Sequence, residues 1–280
     1  MAEHDDEFSL ESLTSAADPE PQTHPAADGE TPFFEFRDVS KSFGDNCVLN
    51  HVSFNVLKGE TVCIMGRSGV GKSVTLKLIM GFLKPDSGRV VSDGVDITEL
   101  SEDDLNEIRK QVTMVFQSGA LFDSLTVAEN VAFPLEEKGN LSEAEITQVV
   151  DGLLDMLDLR KFRDEYPSSL STGMKRAVAI ARALAAQPRA ILYDEPTTMV
   201  DPLMSQSIGD LIQRVKRQIK LTSIVVTHDT RLGKQLADRI VFLHEGKVRF
   251  FGTVPDFESS PDEVVREFLA RDELTLAGMQ

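Results

Sequence analysis

The chain has 280 residues, 41% of them apolar, which is enough to bury a core and excludes wholesale disorder. Lys and Arg number 29 against 46 Asp and Glu, a net charge of −17, and taking out the nine acids of residues 1–31 still leaves −8. Clustered cations are what displace counterions from a polyanion, so nucleic acid is not an expected partner.

At ~150 residues per domain the length suggests about two lobes. No run of 18 apolar residues occurs, and the richest stretch, 177–186, is broken by Arg182. Neither a membrane-spanning helix nor a cationic, apolar leader is expected. Cys47 and Cys63 make no disulfide framework and no metal quartet. Both are expected as small core residues, in keeping with a reducing compartment.

Residues 1–31 mix acids with Pro, Ala, Ser and Thr and read as a disordered acidic tail. Order is expected from 32. Phe34 and Phe36 alternate with Glu35 and Arg37, as Val52, Phe54 and Val56 alternate with polar neighbours, and both patterns predict half-buried strands. Thr61–Met65 (TVCIM) is continuously apolar, the mark of a central strand in a covered parallel sheet. Residues 190–193 and 223–227 are similar, and helical stretches lie between. The alternation predicts an α/β fold.

From about Ser101 to Lys175 helical spacing dominates, and a mainly helical insertion in the α/β core is expected there. Ile146, Val149, Val150, Leu153, Leu154 and Leu157 form one apolar stripe. Ser142 and Glu145 offer a capping box before it. Residues 240–243 and 248–251 flank a Glu245-Gly246 turn and predict a hairpin. Residues 254–280 form a C-terminal extension with one amphipathic helix, 262–269, expected to pack on its own domain.

The chemistry is concentrated in a few short segments. Residues 66–73 (GRSGVGKS) match GxxxxGK(S/T), after an apolar strand and before a helical run. Glycines let successive backbone N–H groups of Ser68, Gly69, Val70 and Gly71 point at phosphate, and the following helix start, through Val74, adds partial positive charge. Lys72 is placed to reach the β- and γ-phosphates, and the Ser73 hydroxyl to ligate Mg²⁺. A second apolar strand ends in Asp194 and Glu195. Alone that pattern is common; beside a phosphate loop it suits a Mg²⁺ carboxylate and a base for the attacking water.

His228 ends a third apolar strand. A histidine there is more often structural than chemical, but on the same sheet edge as Asp194 and Glu195 it is placed to hold a γ-phosphate. Gln117 ends the run 112–116 (VTMVF). It is either a plain polar residue after a strand or a carboxamide that touches Mg²⁺ and water. Ser171, an N-cap before a long helix, makes a second anion site with Thr172 and Gly173. Two distant phosphate sites on one subunit are reconciled by a head-to-tail dimer, each copy lending its helix end to the other.

In this order the segments resemble the ATP-binding cassette family: phosphate loop 66–73, Gln117, signature 170–174 (LSTGM), strand 190–194, Glu195, Asp201 and His228. The resemblance spans roughly residues 33–252. It implies a P-loop NTPase core of the RecA-like type with an N-terminal antiparallel β subdomain, ATP and Mg²⁺ as ligands, and a homodimeric ATPase. It further implies metal contacts from Ser73, Gln117 and Asp194, catalysis by Glu195 with His228 and Lys72, and nucleotide contacts from Val48 and Asp201. Phe43 matches the aromatic that stacks on adenine, although a core position is open to it too. The chain departs from the usual LSGGQ at Thr172 and Met174, which bears on turnover.

The stretch 116–127 (FQSGALFDSLTV), followed by 129–135, looks like the Mla-type, Mce-associated phospholipid transport ATPases. That implies an ATPase on the cytoplasmic face of the inner membrane, held there by an integral permease. The permease would contact the region after Gln117, where Ala120, Leu121 and Phe122 are apolar residues in an expected surface loop. Mce-type substrate-binding and small cytoplasmic regulatory subunits would complete such an assembly. The alternatives are the ATPase of another transporter, such as an amino-acid importer, a non-transport cassette protein, and a phosphate-loop kinase or GTPase.

Overall fold

The computed structural model describes residues 31–277, with side chains to 270. In chain order the elements are β1 (Pro32–Phe43), β2 (Asn46–Leu57), β3 (Thr61–Met65), α1 (Lys72–Ile79), β4 (Ser87–Ser92), β5 (Val95–Asp96), α2 (Glu102–Arg109) and β6 (Val112–Val115). They continue as α3 (Val127–Lys138), α4 (Glu143–Met156), α5 (Thr172–Ala185), β7 (Ala190–Asp194), α6 (Pro202–Ile219) and β8 (Thr222–Thr227). The last are α7 (Thr230–Leu236), β9 (Arg239–His244), β10 (Lys247–Thr253), α8 (Val254–Glu258) and α9 (Glu263–Ala277).

Two sheets organise the chain. One is antiparallel, in the order β2-β1-β4-β5. Its apolar positions face inward as the alternation predicts, and Phe36 and Phe54, paired across β1 and β2, stack with centroids 4.5 Å apart. The other runs β10-β9-β3-β8-β7-β6. Its pairs from β9 to β6 are parallel, and every residue of β3 and β8 is buried. Within this sheet the antiparallel pair is the hairpin from β9 to β10, where Glu245 and Gly246 both take positive φ. That is the geometry a two-residue turn needs to match strand twist.

Helices α3, α4 and α5 pack on one another, and their buried residues are continuous with the core under the parallel sheet. α3 and α4 each open on a complete capping box, Thr126 with Glu129 and Ser142 with Glu145. The helical stretch expected over 101–175 is less uniform than its spacing suggests. Val112–Val115 pairs with β7 as the edge of the parallel sheet, so the helical lobe begins only after Gln117. This is the short run that Gln117 was expected to follow as a strand end, and Val112 and Val115 are its buried positions.

Cys63 is buried and its thiol is pushed far up by desolvation, but Cys47 is exposed at the start of β2. The expectation of a core position for Cys47 is therefore corrected: hairpin ends lie at the surface, however apolar their neighbours in sequence. The C-terminal helix is longer than 262–269. Phe257, Val265 and Phe268 join the core beside Phe242, with Phe268 and Phe242 rings 4.8 Å apart. The acidic segment 1–30 lies outside the described residues.

Candidate active site

The carboxyl ends of β3, β7 and β8 meet at one edge of the parallel sheet, the side on which open α/β sheets bind ligands. A cavity of about 800 Å³ opens there. After β3 the chain turns through Gly66 and Gly71, with φ of 150° and 102°. A Cβ on Gly66 would stand 2.4 Å from the Leu243 carbonyl oxygen, and one on Gly71 2.6 Å from Leu49 and 2.9 Å from the Val48 carbonyl oxygen. No other residue type fits either position. Gly71 is also the N-cap of α1 and brings no side-chain bond, so the first N–H groups of α1 remain uncommitted to any cap.

Lys72, 5% exposed, donates to the carbonyls of Gly66 (3.0 Å) and Arg67 (3.1 Å). Its ammonium also lies 3.2 Å from Glu195 Oε1. Ser73 donates to Asp194 Oδ1 at 2.8 Å. His228 Nδ1 meets Glu195 Oε2 at 2.8 Å, and a carboxylate only accepts, so the imidazole donates.

These contacts set the charges. Burial works against ionised Glu195, but the His228 bond and the Lys72 charge prevail and hold its carboxyl below the ordinary range. The bond to Glu195 raises His228 above its ordinary value against partial burial. Asp194 is pushed up, first by burial and then by Glu195 beside it, with the Ser73 bond opposing.

Of the residues expected in the site, Val48, Ser68, Gly69, Gly71, Lys72, Ser73, Val74, Gln117, Glu195 and His228 line the cavity, and Asp194 reaches it through Ser73. Val70 instead packs towards the core. Phe43 is 47% exposed, so it is no core residue, and it lies outside the cavity lining with the Lys41 ammonium 5.7 Å from its ring. Ser171, Thr172, Gly173 and Asp201 lie elsewhere too. Ser171 caps α5 by accepting from the Met174 amide, and Asp201 caps α6 by accepting from the Met204 amide. Gly173 serves packing, since its Cβ would fall 1.9 Å from the Met204 sulfur.

Arg67, Thr198 and Phe268 line the cavity and were not expected there. For Arg67 the signal was its place inside the loop; Thr198 and Phe268 are brought in by tertiary packing alone.

A glycine cradle at the end of a central strand, with a buried lysine and a hydroxyl–carboxylate pair beside it, defines a phosphate-loop nucleotide-binding protein. The hard oxygens of Ser73 and Asp194 suit Mg²⁺, and the cradle has room for a triphosphate but not for added side chains. Among the described residues no group of three or more His, Cys, Asp or Glu offers a different metal site.

The family model described as "ABC transporter" matches residues 49–198, and the chain belongs to that family. It is 40% identical over 222 residues to the methionine import ATP-binding protein MetN of Haemophilus influenzae, covering 79% of this chain and 64% of that protein. It is 42% identical over 231 residues to MetN 1 of Rhodopseudomonas palustris, covering 82% and 62%. The chain thus spans a little under two thirds of these methionine import proteins. It is 40% identical over 251 residues to the chloroplastic protein trigalactosyldiacylglycerol 3 of Arabidopsis thaliana, covering 84% and 72%.

Among solved structures, the dimeric ATP-binding cassette MJ0796 bound to ADP and Pi matches with a TM-score of 0.71 at 35% identity, over 79% of this chain and 98% of that one. The cbiO1 subunit of Clostridium perfringens matches at 0.76 and 29% identity, over 89% and 99%. The expected fold class, a P-loop core with an antiparallel β subdomain, is that of these cassettes. The narrower resemblance to Mla-type ATPases is not what the MetN relatives show; their names match the amino-acid import alternative. Among the described residues no helix is long and apolar enough to cross a membrane.

Proposed function

We propose that this chain is the ATP-binding and ATP-hydrolysing subunit of an ABC transporter. The observation that carries the reading is the convergence of Lys72, Glu195, His228 and the Ser73–Asp194 pair on one cavity. The loop amides and Lys72 bind the β- and γ-phosphates. Glu195, held ionised, accepts a proton from the water that attacks the γ-phosphorus, and His228 holds Glu195 and the departing phosphoryl group in line. Mg²⁺, held by Ser73 with Asp194 and Gln117, would neutralise phosphate charge.

A second copy completes the site in this reading. Ser171 spends its oxygen on the cap but keeps its hydroxyl hydrogen for a phosphate of the facing subunit. Support comes from the dimeric MJ0796 cassette and from two apolar side chains beside Asp201, Met199 (91% exposed) and Leu203 (79%), which suit a face covered by another chain. A shallow apolar groove of about 320 Å³, with Phe116, Ala120, Phe122, Phe133 and Pro134 in its wall, supports contact with a permease just after Gln117. That contact would hold the ATPase peripherally at the cytoplasmic face. Residues 32–253 then act as the ATPase domain, between an acidic tail and a C-terminal extension.

For cargo, the methionine import relatives favour an amino acid over the phospholipid that the sequence suggested. Lipid movement stands as a second reading on one observation, the Arabidopsis relative whose name carries a galactolipid. It brings Mce-type and small regulatory partners with it. Purification in detergent with mass spectrometry of proteins and lipids separates the two: an amino-acid permease supports the first, a lipid-laden complex the second. The ATPase itself is tested by Glu195→Gln. ATP binding should persist while turnover falls at least 100-fold, as expected for loss of a general base. Unchanged turnover would reject Glu195 as the base.

A further inference from the structure

The Glu195 carboxylate has a third partner. Thr198 Oγ1 donates to Glu195 Oε2 at 3.0 Å, on the same oxygen that His228 holds. Thr198 is itself fixed from a different element. Arg176, on α5 and only 6% exposed, donates through Nη2 to the Thr198 carbonyl at 2.8 Å. Its Nε and Nη1 are buried without a hydrogen-bond partner among the described residues, so this carbonyl is the one recorded acceptor for a buried guanidinium. The turn between is held in unusual backbone, with φ of 48° at Glu195 and 62° at Met199. Non-glycine residues keep such angles only where their surroundings over-determine them.

The two carboxylate oxygens are therefore not equivalent. Oε2 is held by two donors that belong to the protein scaffold. Among the described residues Oε1 is held by Lys72, the residue that a triphosphate in the cradle would engage. We propose that Thr198 is a positioning residue for ATP hydrolysis: anchored by Arg176, it pins Glu195 Oε2 so that Oε1 faces the attacking water. The inference rests on the reading of Glu195 as the base. In the step itself, the water oxygen forms a bond to the γ-phosphorus and one water proton passes to Oε1. The bond from the γ-phosphorus to the β–γ bridging oxygen breaks, its electron pair leaving on ADP. The products are ADP and inorganic phosphate, and Glu195 returns its proton to solvent. Thr198 touches none of the reacting atoms and orients the group that does.

The chain also joins two regions the sequence keeps apart. The N-terminus of α5 carries Ser171 and Gly173, and Arg176 lies one turn further along the same helix. A path of hydrogen bonds therefore runs from α5 through Thr198 to the carboxylate.

The test uses the full-length chain with ATP and Mg²⁺. Thr198→Val keeps the shape and removes the donor. It should lower kcat about tenfold, the scale of one lost hydrogen bond to a charged group, with KM for ATP unchanged. Thr198→Ser should restore kcat, and Thr198→Ala replaces the valine variant if valine does not fold. In a Glu195→Gln background, Thr198→Val should leave the residual single-turnover rate as it is, because the group it orients is gone. Native kcat in Thr198→Val, alongside a Glu195→Gln variant that is inactive, would overturn the inference and leave the base intact. A further loss in the Glu195→Gln background would overturn it too, by showing that Thr198 acts by another route. Native turnover in Glu195→Gln would remove the base itself, a different and recognisable failure.

Discussion

Two helix starts in this molecule face the same physical problem, four backbone N–H groups without an intrahelical partner, and handle it differently. α1 opens on Gly71 with no side-chain cap, and buried Lys72, Ser73 and the ends of three strands surround it. α5 opens on exposed Ser171, whose oxygen is spent on the Met174 amide. In the proposed reading the first is a complete anion site, its Lys72 charge already placed and partly neutralised by Glu195. The second is a capped helix end, which in the same reading becomes a site only against a second copy. A cap and a ligand compete for the same donors, so the uncapped start is the one to expect where a phosphate is held from a single chain.

The sharpest way to break this comparison is to remove the charge from the first start. Lys72→Ala should cost about 3 kcal/mol in ATP binding, roughly 100-fold in Kd by calorimetry, the scale of losing one partner of a buried charged pair. Native affinity would make the two starts equivalent. Ser171→Ala acts on the second. It should cost about 1 kcal/mol of stability through the lost cap, read as a lower denaturation midpoint, and reduce turnover while leaving ATP binding at the cradle unchanged. Native turnover in the folded variant would make α5 a capped helix and nothing more.

The smallest effect concerns pH. His228 is raised above its ordinary value of 6.5, first by its bond to Glu195. A raised pKa means that the pairing stabilises the fold fully below that ordinary value and that the contribution is lost as pH rises through the higher, folded one. NMR titration should find the imidazole above 6.5 in the native chain and closer to it in Glu195→Gln. An unmoved midpoint would separate His228 from the carboxylate.

Much of this was legible beforehand, for identifiable reasons. The loop 66–73 could be read because its function is carried by consecutive backbone units. The β9–β10 turn and the Ser142 cap could be read because each is closed by residues three apart, His244 with Lys247 and Ser142 with Glu145. The exposure of Cys47 could not, since apolar neighbours in sequence do not decide which end of a hairpin meets solvent. Nor could the place of Phe43 outside the cavity lining. The role of Thr198 has no sequence signature of its own; it comes from a carboxylate three residues back and a guanidinium 22 residues away.

Sequence by itself determined the cradle, because glycine spacing dictates backbone dihedrals locally and a helix start supplies its donors without outside help. Tertiary structure alone decided what the cradle faces. Ser73 meets Asp194 across 121 residues and Glu195 meets His228 across 33, and only the strand order, with β3 flanked by β8 and β8 by β7, brings those ends to one edge. That order follows from burying both faces of a parallel sheet, a property of the whole chain that no short segment contains.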